Sequence, residues 1–195
     1  LDTRPYGKTP LLTTPHPLYQ SYAGATSLAS AEVHLLSCGS KEQFKPDFSA
    51  VSTDIWQRCQ LLQLCSPGNP TGALIEPDQM KLVIELADKY DFIIASDECY
   101  SEVYLDEDRP PVGLLQVCKD LGRDNYSRCV VFHSLSKRSN LPGLRSGFIA
   151  GDNKLIQQFL KYRTYHGCSM SLPVQKASIA AWRDELHTIE NRSLY

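Results

Sequence analysis

Three short apolar runs constrain the fold of this chain more than any other feature. Gln60-Leu61-Leu62-Gln63-Leu64-Cys65, Phe92-Ile93-Ile94-Ala95-Ser96 and Cys129-Val130-Val131-Phe132 each have the length and composition of a buried strand. Each ends in polar residues: Ser66-Pro67-Gly68-Asn69-Pro70-Thr71-Gly72 after the first, Asp97-Glu98-Cys99-Tyr100 after the second, and Ser134-Leu135-Ser136-Lys137 after the third. Between the first two runs, Pro77 suits the first turn of a helix, and Met80, Val83, Ile84, Ala87 and Tyr90 recur at helical spacing. Strands alternating with helices predict an α/β fold, a three-layer α/β/α sandwich around a mostly parallel sheet. Open sheets of this kind bind ligands beyond the carboxyl ends of their strands. Asn69, Asp97 and Lys137 are therefore expected on one edge of one sheet.

The remaining segments extend the pattern. Residues 11–14 and 32–36 read as strands flanking a helix over 19–30, and residues 46–58 as a loop leading into a short helix. Residues 147–151 read as a strand directly after the Lys137 segment, which is compatible with one antiparallel member in the sheet. Helices follow over 153–165 and from near Pro173 past Trp182.

A chain of 195 residues with 42% apolar content can bury one sizeable core. Its net charge of −2 and scattered basic residues favour neither nucleic acid nor an anionic membrane as a partner. No run approaches the roughly eighteen apolar residues of a membrane span, and residues 1–5 do not read as a signal peptide. The 7 cysteines are odd in number and lack a C-x-x-C pair, and the 5 histidines show no metal-ligand spacing. Buried free thiols in a reducing, cytoplasmic compartment are expected, with no metal. His166 and Cys168 are only two apart and lack an orienting partner, so they read as a structural loop.

The chemistry concentrates around Lys137. A lysine beyond a strand end can be desolvated, which favours the neutral amine and makes it a nucleophile toward aldehydes. The hydroxyls of Ser134 and Ser136, with Arg145 beyond them, form a candidate phosphate clamp. An amine nucleophile beside a phosphate clamp is what pyridoxal 5'-phosphate requires. Simpler readings stand beside this one. Asn69 before Pro70 is a turn signal, Asp97 is able to cap a short helix, and Tyr19 and Tyr22 share a helical face that packs in a core.

Taken together and in this order, the three motifs resemble those of the fold-type I, class I/II aminotransferases, from about Pro15 to about Trp182. The resemblance implies pyridoxal phosphate as cofactor and amino-group transfer between amino acids and 2-oxo acids. It makes Lys137 the lysine that holds the cofactor and shuttles a proton. Asp97 becomes the partner of the pyridinium nitrogen, and Asn69 and Tyr100 the donors to the ring oxygen. Ser134, Ser136 and Arg145 become the phosphate clamp, with Ser136 alternatively only shaping the turn. Tyr19 resembles the aromatic that stacks on the ring, and Tyr22 takes that place if the register shifts.

Longer strings, among them residues 97–104, 135–147 and 162–168, resemble the family's N-succinyldiaminopimelate aminotransferases. That resemblance implies exchange of an amino group between N-succinyl-diaminopimelate and 2-oxoglutarate. Arg138 and Arg163 are candidate contacts to such a dicarboxylic substrate, with surface or structural roles as the alternative. Another amino donor, such as aspartate or an aromatic amino acid, is a second reading. A non-catalytic cofactor-binding domain of a transcription regulator is a third. The chain is expected to be the central part of a longer protein that forms a homodimer. The arginine for the substrate's α-carboxylate, in a small C-terminal domain, and the Gly-rich phosphate loop are expected outside it, with that small domain at most begun near 173–195.

Overall fold

The computed structural model describes residues 9–167 and 169–194. Its sheet is built from β1 (Leu11–His16), β2 (Glu32–Ser37), β3 (Cys59–Cys65), β4 (Ile93–Asp97), β5 (Cys129–Ser134) and β6 (Gly147–Gly151). The helices are α1 (Gln20–Leu28), α2 (Thr53–Arg58), α3 (Pro77–Tyr90), α4 (Leu114–Asp120), α5 (Leu135–Arg138), α6 (Asn153–Tyr165), α7 (Leu172–Arg183) and α8 (Leu186–Arg192). The predicted α/β architecture and its mostly parallel sheet are present. Cys168 lies outside the described residues, so the loop reading for it has no structural counterpart here.

The strand order is β2-β1-β3-β4-β5-β6. All neighbours pair in parallel except β5 and β6, which run antiparallel with Ser134 opposite Gly147. The chain moves outward from β1 to β2, then returns to the other side of β1 with β3. The crevice beyond β1 and β3 is therefore a topological switch point, the place where loops splay apart and leave room for a ligand. Because β6 is antiparallel, its first residue lies beside the carboxyl end of β5. That reversal returns Arg145 to the edge that carries Lys137.

Side chains of β3, β4 and β5 alternate between the two faces of the sheet. Leu62, Leu64, Ile94, Cys129 and Val131 point into the main core, where they meet Met80, Val83, Ile84 and Ala87 of α3 and Leu114, Val117 and Cys118 of α4. The predicted helical face of α3 is thus the face it buries. Trp56 of α2 stacks on Phe92 with ring centroids 5.2 Å apart and closes the bottom of this core. Cys65 and Asp97 stand opposite each other across β3 and β4. They belong to the other face, which α1 covers. Gly151 ends β6 at φ +131, and a Cβ there would lie 2.1 Å from the Cys129 carbonyl oxygen, so only glycine permits this close approach to β5.

Candidate active site

Asn69, Asp97 and Lys137 gather at the carboxyl edge of the sheet, as the sequence pattern predicts. Asp97 is the last residue of β4, and Oδ2 of its half-buried carboxylate accepts a 2.6 Å hydrogen bond from the Tyr22 hydroxyl. Its Oδ1 accepts from the Cys99 backbone N–H at 3.1 Å. The aspartate therefore does orient a turn over residues 98–100, but no helix forms there. Burial, with Cys65 and Asp97 nearby, pushes the Tyr22 phenol well above its ordinary pKa, so this hydroxyl stays a donor. Burial and Asp97 likewise raise the Cys99 thiol, and burial raises Cys65.

Asn69 sits in the loop after β3, and its Nδ2 lies 3.5 Å from the Tyr100 hydroxyl. Lys137 approaches the same tyrosine over its ring, with Nζ 5.4 Å from the centroid. The two donors and the amine thus converge around one aromatic ring. Beyond them, loops 66–77 and 100–112 line an open cleft of about 1100 Å³, with Asn69, Tyr100, Tyr104 and Arg109 among its walls.

Ser134 and Ser136 form the start of α5. Ser134 Oγ accepts from the Ser136 N–H at 3.1 Å and lies 2.9 Å from the Ser136 hydroxyl and 3.2 Å from the Ser146 carbonyl. The hydroxyl pair therefore shapes the turn that presents Lys137. Arg145 occupies a left-handed backbone position (φ 51), and its exposed guanidinium donates to the Pro142 carbonyl at 2.9 Å.

Several expectations need correction. Lys137 is exposed rather than desolvated, on the single turn of α5 at the carboxyl edge of the sheet. Arg138, a candidate substrate contact, is buried. Its Nη1 donates to the Ala181 carbonyl at 2.9 Å, its Nη2 pairs with Glu185, and its guanidinium lies 5.1 Å from the Trp182 ring centroid. Neighbouring helical residues are rotated by about 100°, and the contacts with α7 and Glu185 draw Arg138 inward while Lys137 stays outside. Arg163 lies on the exposed surface of α6.

Tyr19 is 41% exposed and meets Tyr22 edge-on at 5.7 Å, so Tyr22 rather than Tyr19 contacts Asp97. The buried face of α1 explains this. Thr26 is its buried residue and donates to the Tyr22 carbonyl one turn back, whereas Tyr19 precedes the helix as its N-cap. No described helix is long and apolar enough to cross a membrane. No described cluster of His, Cys, Asp and Glu is arranged to hold a metal.

The carboxyl edge of this mostly parallel sheet gathers a carboxylate, an amide, a phenol and an amine. The chain belongs to the class I and II aminotransferases: the model of that family matches residues 10–194. An LL-diaminopimelate aminotransferase from Maridesulfovibrio salexigens is 31% identical, over 95% of this chain and 47% of the relative. An aminotransferase structure from Neisseria meningitidis is 53% identical, with a TM-score of 0.91, and covers 97% of this chain and 47% of that one. A probable N-succinyldiaminopimelate aminotransferase from Thermus thermophilus is 25% identical, with a TM-score of 0.84 over 95% of this chain and 49% of that one. The chain spans about half the length of the curated relatives it matches. Members of the family use pyridoxal phosphate.

Proposed function

We propose that the protein containing this chain is a pyridoxal-phosphate-dependent aminotransferase, and that Lys137 is the residue that holds the cofactor covalently. The carrying observation is the convergence of Asn69, Asp97, Tyr100 and Lys137 on one sheet edge. The donor set fits the cofactor in chemical character. It offers a carboxylate for a protonated ring nitrogen, two hydrogen-bond donors for a ring oxygen, an amine for an aldehyde, and hydroxyls with an arginine for a phosphate. When bound, the cofactor supplies an electron sink for the carbanion left after proton loss.

The residues divide the remaining work. Asp97, oriented by Tyr22 and the Cys99 N–H, would be the carboxylate that pairs with a protonated ring nitrogen. Asn69 and Tyr100 would donate to the ring oxygen and so orient the ring. Ser134, Ser136 and Arg145 would anchor the phosphate, with Arg145 turning from the Pro142 carbonyl toward it. Either Tyr19 or the ring of Tyr22 would cover the ring face. Lys137 would hold the cofactor and, as an amine, would be the group able to carry a proton at Nζ.

For the amino donor we favour N-succinyl-diaminopimelate, with 2-oxoglutarate as acceptor. The extended strings around Tyr104, Lys137 and Tyr162 and the named Thermus thermophilus neighbour support it. Free LL-diaminopimelate is the second reading, favoured by the name of the Maridesulfovibrio relative. The chain would be most of the cofactor-binding large domain, with a smaller C-terminal domain absent or only begun near residues 173–195, in a cytoplasmic homodimer. Six described cysteines, all free, are consistent with a reducing compartment.

The test uses the full-length protein with pyridoxal phosphate. Borohydride treatment followed by peptide mass analysis is expected to leave the cofactor on Lys137, and Lys137→Ala is expected to abolish both this label and turnover. A label on another lysine, or turnover in Lys137→Ala, would refute the assignment. Initial rates with the succinylated donor, the free donor, aspartate and phenylalanine decide the substrate.

A further inference from the structure

Helix α8 touches both of the loops that meet at the candidate site. We propose that α8 is a strap holding the Lys137 turn and the loop after Tyr100 in register, with Arg192 as its positioning residue. This rests on the functional reading above, which makes the placement of Lys137 against Tyr100 consequential.

Arg192 is only 7% exposed, although it lies near the end of a short helix at the surface. Its Nε and Nη2 bond the two carboxylate oxygens of Glu107 at 2.6 and 2.8 Å. Nη1 reaches the Glu102 carbonyl at 3.3 Å and the Glu102 carboxylate at 3.2 Å. The guanidinium also lies 4.1 Å from the Tyr104 ring centroid. A buried arginine is tolerated where its planar fork is filled, and here one loop fills it from two carboxylates, a carbonyl and a ring.

The preceding residue, about 100° around the helix, reaches a different loop. Asn191 Nδ2 lies 3.3 Å from the Lys137 carbonyl and 3.4 Å from that of Arg138, two carbonyls at the end of α5. One turn back, His187 Nε2 lies 2.8 Å from the Ser139 hydroxyl, while its Nδ1 pairs with Asp184 at 3.0 Å. Adjacent residues of one helix thus grip the backbone beside Lys137 and the segment that follows Tyr100. Lys137 Nζ lies 5.4 Å from the Tyr100 ring centroid. A strap that fixes both backbones defines that spacing without a direct bond.

The experiment measures hydrogen exchange in the full-length apoprotein and the pH midpoint of the bound cofactor's visible absorption band in the holoprotein. Arg192→Ala removes the grip on residues 102–107 and leaves Asn191 in place. The strap predicts faster exchange at both 102–107 and 135–139, by about tenfold at the distant segment. It also predicts a displacement of the pH midpoint by roughly 0.5 unit or more, because Lys137 and Tyr100 no longer hold their spacing. Arg192→Lys keeps a charge beside Glu107 without the two-pronged contact, and falls between the two. Unchanged exchange at 135–139, or an unchanged midpoint, overturns the proposal and reduces Arg192 to an anchor for its own helix. If Arg192→Ala does not fold by circular dichroism, Asn191→Ala is read in the reverse direction, and its effect must then reach 102–107. A wild-type protein that carries no cofactor on Lys137 would refute the functional reading instead, and the exchange measurement on the apoprotein would still decide the strap.

Discussion

Tyr22→Phe isolates one atom of the site. The substitution keeps the ring that packs against Tyr19 and removes only the hydroxyl that donates to Asp97 Oδ2 at 2.6 Å. A hydrogen bond to a charged group contributes about 1.5–3 kcal/mol, and less when the acceptor keeps another donor. Asp97 keeps the Cys99 N–H at 3.1 Å, and both side chains are half-buried, so a loss of about 1–2 kcal/mol is expected. If the carboxylate works only when aimed at the cofactor ring nitrogen, this loss appears as a roughly 5- to 30-fold fall in the rate of cofactor-linked proton removal. The assay is single-turnover absorbance of the full-length holoenzyme mixed with amino donor, alongside the cofactor dissociation constant. Tyr19→Ala, which spares the Asp97 contact, separates ring stacking from hydroxyl donation. A Tyr22→Phe rate within twofold of wild type would refute the view that this phenol positions the aspartate.

Other outcomes follow from the same geometry. Arg145→Ala is expected to weaken cofactor affinity by about 10- to 100-fold in equilibrium dialysis while saturated turnover falls little, as for loss of a charge-assisted phosphate contact. Arg138→Ala should act on stability instead: loss of the Ala181 and Glu185 bonds and the Trp182 contact costs about 2–4 kcal/mol, read as a lower thermal midpoint with an unchanged KM for the dicarboxylic donor. Burial pushes the Cys59 thiol up from 9.0 to about 11, so the native thiol should resist iodoacetamide at pH 8 and react progressively faster as pH rises toward that value. Between about pH 9 and 11 the unfolded chain binds fewer protons at Cys59 than the native one, so this thiol should lower stability as pH rises; Cys59→Ala should flatten that limb of the stability curve.

Much of the fold is legible in the chain because it follows from periodicity and local chemistry. The three apolar runs that precede Asn69, Asp97 and Lys137 place those residues at the carboxyl ends of parallel strands, and parallel strands put all their carboxyl ends on one edge. The apolar spacing of α3 identifies its buried face before any partner is known. The motif order likewise carries the family, and with it the cofactor.

Tertiary structure decided which side chain of each motif faces its neighbour. Tyr19 and Tyr22 are equivalent candidates by spacing, and only the docking of α1 through Thr26 turns Tyr22 toward Asp97, 75 positions away in sequence. Lys137 and Arg138 are adjacent bases, and only the placement of α7 decides that the second is buried against Trp182 while the first stays exposed. The bonds from α8 to residues 102–107 and 137–139 have no local signature at all. Periodicity reports how residues are arranged along one element. The rotation and position of an element against another come from packing between segments distant in the chain, and a one-dimensional pattern does not contain them.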